Sequence, residues 1–464
     1  MKNITIRPNR TAAMTIRLSD FSIIAFGFIF GIYLLCFSEV HAQEGSPGWE
    51  ERASLAVEQM ILSSGDETIQ FVLDNFVDPS AMSISEWKER LIAIRKDMHD
   101  LNGDVSLSVD PEGLILSMAN MERQRDLRIG LNQDNQKISK LQLMEPAPSM
   151  DLSWENLDQI FDQLESEGLS GIIYMKRGNE VVMNRPFGMA DRSTGRKNKL
   201  VTIFGTGSRP IDYTIAAIQL LDQQGKLSLN NPISQFIDEV PDDKKSMTLH
   251  HLMTGRSGLP DFFDNDSDWD ADLAWVDRDE AVRRMMKQEL LFEPGKGRAH
   301  SHGAFGLLAA IVEKVSGETY YGFIRKHFLD PAGMTRTGEY GESRGFGIEE
   351  FAVGGGPEIV GVPNIPPNWG PTSWLIKGSG GMYSTLGDLQ KFYEYIRSGK
   401  VLDEKHSRRF REPTAGLDGS MRGFELLSLY EPRKGELYLF INEAVESSKL
   451  RALMRSLERL LVRS

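Results

Sequence analysis

The 464-residue chain has one cysteine, Cys36, and it lies inside the longest uncharged apolar run of the sequence, Phe21 to Phe37. A chain cleaved after that run has no thiol, which excludes disulfides, thiolate metal sites and cysteine catalysis. Positive charge is also scarce: 53 Lys and Arg stand against 66 Asp and Glu, a net charge of −13. Nucleic acid and anionic membrane surfaces attract basic patches, so neither is expected as a main partner. At 40% hydrophobic and 26% charged the composition is that of a globular protein, and the length predicts two or three domains.

Lys2, Arg7, Arg10 and Arg17 precede the apolar run, and Val40-His41-Ala42 offers small residues at cleavage spacing before Gln43. Residues 1–42 therefore read as an export signal, which places the protein in the periplasm or outside the cell. The alternative is an uncleaved N-terminal helix that anchors the chain in the membrane.

Residues 47–144 predict a small α+β domain. Ser83-Ile84-Ser85-Glu86 is a capping box, with Trp87, Leu91, Ile94 and Met98 on one helical face behind it. Strand alternation follows at Val105, Leu107 and Val109, at Leu114 and Leu116, at Leu127, Ile129 and Leu131, and at Leu141 and Leu143. Helices followed by a meander resemble the α+β rolls of the cystatin or nuclear-transport-factor type. The unit shows no convergent polar cluster, so a structural role or a protein partner is expected of it. Residues 145–150, Pro-rich, read as a linker to a second domain over 151–462.

That second domain is organised around Phe204-Gly205-Thr206-Gly207-Ser208-Arg209-Pro210-Ile211-Asp212. An apolar strand-like stretch runs into a helix whose stripe is Ile211, Ile215 and Ile218, widened by Ala217, Leu220 and Leu221 and stopped by Gly225. Ser208 stands at the start of this buried helix as a candidate nucleophile.

Together with Gly225-Lys226-Leu227-Ser228-Leu229-Asn230-Asn231-Pro232-Ile233, His251-Leu252-Met253-Thr254 and Ser257-Gly258-Leu259-Pro260-Asp261, the stretch resembles the serine β-lactamase and penicillin-binding family, nearest its class C, DD-peptidase and esterase branch. Gly380-Gly381-Met382-Tyr383-Ser384-Thr385 resembles that family's Gly-Gly-x-x-Ser-Thr helix entry. The resemblance implies an antiparallel sheet flanked by helices plus an all-helical subdomain. Gly171–Met175, Glu180–Met183 and Leu437–Ile441 are its expected strands, and Leu450, Leu453, Leu457 and Leu460 mark a helix packed back on it.

It also implies a site of three elements, and each is altered here. The helix should open Ser-x-x-Lys, with the amine taking the serine's proton, but its fourth position is Ile211. A Tyr-x-Asn should follow Pro294-Gly295, but His300 and His302 occupy those places. Alternate residues of an extended segment project to one side, so both imidazoles are expected to face Ser208, and histidine is a competent base near neutral pH. A Lys- or His-Thr-Gly should line the carboxylate side of the substrate, but the corresponding residues are Leu417, Asp418 and Gly419. Loss of that cation disfavours penicillins and D-alanyl-D-alanine termini.

Two readings follow. In one, Ser208 is a nucleophile with His300 or His302 as base and Asp212 or Asp418 as its orienter, hydrolysing esters or amides without a mandatory carboxylate. In the other the site is silent and the cleft binds a cell-wall peptide or a protein partner. Gly207, Ile211, Leu417 and Gly419 are the expected substrate contacts in either case. No cofactor is expected. A metal is not expected either: His300 and His302 could supply two zinc ligands, but a third had only unplaced candidates in His251, Asp261 and Asp418. Asp264-Asn265-Asp266-Ser267-Asp268 begins like a calcium loop but has Trp269 where glycine is required.

Overall fold

The computed structural model describes residues 13–16 and 49–463, except 64, 102–103, 111–112, 120–123, 133–134, 145–149, 262–274, 357–360, 421 and 446. The apolar run of the expected export signal, the expected linker from Glu145 to Ser149 and the acidic run from Asp264 lie outside the described residues. Among the described residues no helix is long and apolar enough to cross a membrane. The chain divides into two units, Met1–Pro146 and Ala147–Ser464.

In the first unit, helices Trp49–Leu62, Asp66–Asn75 and Ile84–Met98 precede the strands Asp104–Asp110, Gly113–Ala119, Gln124–Asn132 and Lys137–Leu143. These strands form an antiparallel meander in chain order, with Ala13–Ile16 added at its edge against Asp104–Asp110. The capping box forms as read: Ser83 Oγ accepts from the Glu86 amide at 3.3 Å, and the Glu86 carboxylate accepts from the Ser83 amide at 3.1 Å. Trp87, Leu91, Ile94 and Met98 are fully buried in one core with Leu116, Leu127 and Ile129 of the sheet.

The second unit is built on a five-stranded antiparallel sheet. Its order is Thr414–Gly419, Glu425–Glu431, Gly435–Glu443, Ser170–Arg177 and Glu180–Phe187. The hairpin of the last two strands turns through Gly178 at φ +56°, a conformation that favours glycine. One sheet face is covered by helices Leu157–Ser166 and Ser447–Arg463, whose Phe161, Leu453 and Leu457 pack on Ile173, Leu437 and Leu439. The C-terminal stripe continues through Leu461, fully buried, and only partly through Leu460. Four residues complete a helical turn better than three at that point.

The other face carries the large helical body. At its centre helix Pro210–Gln223 buries Ile215, Ala217, Ile218, Leu220 and Leu221. Each large aliphatic removed from water there contributes about 1.5–3 kcal/mol, so the start of this helix is held firmly. Phe204 stacks on Phe440 of the sheet at 5.2 Å and anchors the segment that leads into the helix.

Candidate active site

Ser208 lies on a sharp turn between strand Phe204–Gly205 and helix Pro210–Gln223. The amide and hydroxyl of Thr206 both donate to the Met382 carbonyl, at 3.1 and 2.8 Å, and this fixes the entry. Gly207 then reverses the chain at φ +55°. A Cβ on Gly207 would lie 2.8 Å from the Gly419 carbonyl oxygen and 3.1 Å from its nitrogen, so the turn sits directly against the sheet's edge strand. Ser208 is left half-buried.

His302 opens helix His302–Ser316. Ser301 caps that helix by accepting from the Ala304 amide at 3.2 Å, and its hydroxyl donates to the Pro260 carbonyl at 2.9 Å. One serine thus ties the loop that ends in Asp261 to the helix that begins with His302. The same loop is fastened to the segment before His300 by the Ala299 amide donating to Gly255 O at 2.8 Å and the Leu291 amide to Gly258 O at 2.7 Å.

These placements bring three side chains into line. Ser208 Oγ is 3.1 Å from His302 Nε2. His302 Nδ1 is 2.9 Å from both carboxylate oxygens of Asp261, and the His302 backbone amide donates to Asp261 Oδ1 at 3.3 Å. The Asp261 side chain is only 4% exposed and that of His302 15%. Burial works against the Asp261 charge, but the His302 imidazole and the hydrogen bonds from it more than offset this and hold the carboxyl below its ordinary range. An ionised acceptor at Nδ1 fixes the tautomer with its proton on Nδ1 and leaves the Nε2 lone pair facing the serine hydroxyl.

His300 does not join that line. Its ring meets the His302 ring edge-on at 4.6 Å between centroids, and among the described residues no hydrogen bond reaches it. Burial, with a smaller contribution from the His302 ring, pushes its pKa down to about 4, so it is neutral at physiological pH. The expected pair of equivalent imidazoles separates because the helix starts at His302, so that the two rings stand on different backbone conformations. Asp261, His300 and His302 nonetheless bring ligand atoms within 4.8 Å of one another, a grouping that could hold a metal ion. His251, another zinc candidate, instead receives the Thr248 amide at Nδ1, at 3.4 Å.

Three expectations are corrected. Asp418 does not orient a histidine; its carboxylate bonds the guanidinium of Arg209. Asp212 is turned the same way, accepting from Arg209 at 3.1 Å and from the Tyr393 hydroxyl. Leu417 does not face Ser208 either. It packs with the core on the far side of the sheet, because alternation puts it opposite Asp418. Ile211 is partly buried against the helical core beside the site, while Gly207 and Gly419 meet at its wall.

Arg209, not among the expected site residues, is 3% exposed and also donates to Tyr393 Oη and Ser428 Oγ, each at 2.8 Å. Burial opposes its charge, but Asp418, Tyr393 and Asp212 around it keep it firmly protonated. Its neighbours in sequence gave a weak signal, since a cation between a nucleophile candidate and a buried helix must find partners.

A nucleophile turn wedged between a helical body and the edge of an antiparallel sheet, with an imidazole and a carboxylate behind the hydroxyl, defines an acyl-transfer scaffold of the serine type. The sequence profile of the Beta-lactamase family matches residues 157–422, more than half of the chain, and the chain belongs to that family. It is 25% identical over 334 residues to the putative penicillin-binding protein PbpX of Bacillus subtilis, covering 69% of this chain and 82% of that protein. It is 27% identical over 303 residues to esterase EstB of Burkholderia gladioli, covering 58% of this chain and 76% of that one. Among solved structures, a penicillin-binding protein from Bacillus halodurans superposes with a TM-score of 0.53 at 24% identity, over 64% of this chain and 98% of the other.

Proposed function

We propose that this chain hydrolyses esters and amides that carry no obligatory carboxylate, with Ser208 as nucleophile, His302 as general base and acid, and Asp261 as the group that orients the imidazole. The carrying observation is the continuous contact from Ser208 Oγ through His302 to Asp261. Ser208 Oγ attacks the substrate carbonyl while its proton passes to His302 Nε2. The imidazolium, stabilised by Asp261, then protonates the leaving alcohol or amine as the acyl bond breaks. Water, deprotonated by the same nitrogen, releases the acid and restores the serine.

The developing oxyanion needs two donors. One is the backbone N–H of Ser208. The other is that of Gly419. The Ser420 amide donates inward to Phe424 O at 2.9 Å, so alternation along an antiparallel edge strand turns the Gly419 N–H outward, toward Gly207.

A silent cleft was the alternative because the family's lysine and tyrosine are absent. His302 supplies a base at the distance catalysis needs, and this favours the enzyme. The substrate class rests on the charge pattern: Arg209 is committed to Asp418 and Asp212, and residue 417 offers no cation. EstB, by its name an esterase, is consistent with such a substrate. The test is fluorophosphonate labelling together with turnover of p-nitrophenyl esters. Labelling is expected in the native protein and absent in Ser208→Ala, with turnover also lost in His302→Ala. Native protein that neither labels nor turns over such esters would overturn the reading. Export through residues 1–42 is part of the proposal, to be checked by fractionating cells that express the full chain.

A further inference from the structure

We propose that Asp261, His300 and His302 also form a site for a divalent transition-metal ion of the zinc type, and that filling it switches the hydrolase off. Two imidazoles and one carboxylate, with a fourth position open to water, is a donor set that suits zinc. It does not suit calcium or magnesium, which take oxygen ligands. Ligand atoms of the three residues lie within 4.8 Å of one another, and those of Asp261 and His302 Nδ1 are already 2.9 Å apart. A tetrahedral zinc with bonds near 2.0–2.1 Å needs donors about 3.4 Å apart. The widest pair must therefore close by at most about 1.4 Å. The site also accounts for His300, whose ring takes no part in the contact from Ser208 to Asp261.

The inhibitory half of the proposal rests on the hydrolase reading and follows from the chemistry of imidazole. A neutral ring has a single lone pair. A metal on His302 Nε2 occupies the lone pair that would accept the serine's proton. A metal on Nδ1 forces the ring proton onto Nε2, with the same result, and also removes the Asp261 carboxylate from its orienting role. Either mode of coordination abolishes the base, so the ion and the catalytic arrangement exclude each other.

The experiment titrates the full chain with Zn²⁺ by calorimetry and with Co²⁺ by visible absorbance, in the native protein and in Ser208→Ala, His300→Phe and Asp261→Asn, with folding of each checked by thermal denaturation. Saturable one-to-one binding is expected in the native protein and in Ser208→Ala, with a tetrahedral Co²⁺ spectrum. His300→Phe and Asp261→Asn should each bind weaker by more than the ~10–100-fold that loss of an outer-shell partner costs. Wild-type ester turnover should fall with Zn²⁺ and return with a chelator. Absence of saturable binding to the native protein and Ser208→Ala, or binding unchanged in whichever of the two ligand variants folds, overturns the site. Binding that leaves turnover intact overturns the switch. Because Ser208→Ala is read by binding alone, a protein without esterase activity would sink the hydrolase reading and leave the metal site standing.

Discussion

Replacing Asp261 by asparagine separates the proposed catalytic arrangement from its nearest rival. In the structure Asp261 Oδ1 accepts from the His302 backbone amide at 3.3 Å, and both carboxylate oxygens lie 2.9 Å from His302 Nδ1. The backbone N–H can only donate, so in the Asp261→Asn variant the side-chain carbonyl oxygen turns to it and the NH₂ group faces Nδ1. That arrangement puts the ring proton on Nε2, where it meets Ser208 Oγ as a donor and cannot accept. Comparable substitution in a serine protease triad costs on the order of 10⁴ in kcat. Each decade is about 1.4 kcal/mol, so the barrier should rise by about 5 kcal/mol. The assay is kcat/KM for a p-nitrophenyl ester in chelator-containing buffer, with Asp418→Asn in parallel. Asp418 holds Arg209, so its variant should stay within about tenfold in kcat/KM while losing thermal stability. An Asp261→Asn protein within tenfold of the parent, or an Asp418→Asn protein as impaired as Asp261→Asn, would refute the assignment.

Arg209→Met leaves the buried Asp212 and the partly buried Asp418 without their shared cation, and should cost about 3–5 kcal/mol of stability by denaturant titration, part of which a second change, Asp418→Leu, should restore. Gly207→Ala forces an alanine to φ +55° and drives its methyl into the Gly419 backbone. It should lower stability by at least about 1 kcal/mol and esterase turnover more than ester binding, read as a fall in kcat with little change in KM. Glu425 lies in the sheet with its carboxyl raised above the ordinary value of 4.5 by burial. The folded state therefore holds a proton that the unfolded state has already released, and native stability falls as pH rises through that window. Glu425→Gln should match the parent in acid below the window and exceed it above, a gap that grows with pH and then levels off.

Much of the fold was legible because its signals are local. The capping box at Ser83, the stripe along Ile215, Ile218 and Leu221, and the turn at Gly178 each follow from residues within one or two turns of one another. The site was legible only as far as its serine and histidines. Asp261 lies 41 residues before His302, and what joins them is a loop fastened alongside the approach to His300 through Gly255, Gly258 and Ser301. No spacing rule reports that pairing, whereas Asp212 and Asp418 look suitable because their sequence neighbours are site candidates. Both were claimed instead by Arg209, whose burial demands anionic partners more strongly than a neutral imidazole does.

Moving the base has a mechanical consequence. In the Ser-x-x-Lys arrangement that the family resemblance implies, nucleophile and amine ride on one helix and keep their spacing whatever the rest of the molecule does. Here Ile211 fills the fourth position, and the proposed base, His302, stands on a different helix, His302–Ser316, which packs across Pro210–Gln223. The 3.1 Å between Ser208 and His302 is thus set by tertiary packing and by the tie from Ser301 to Pro260. A cavity in the contact between these helices, or loss of the Ser301 hydroxyl, would alter the distance that governs proton transfer without touching a reacting atom. If His302 is the base proposed above, its placement on a second helix makes the Ser208–His302 contact depend on the core packing between the two helices.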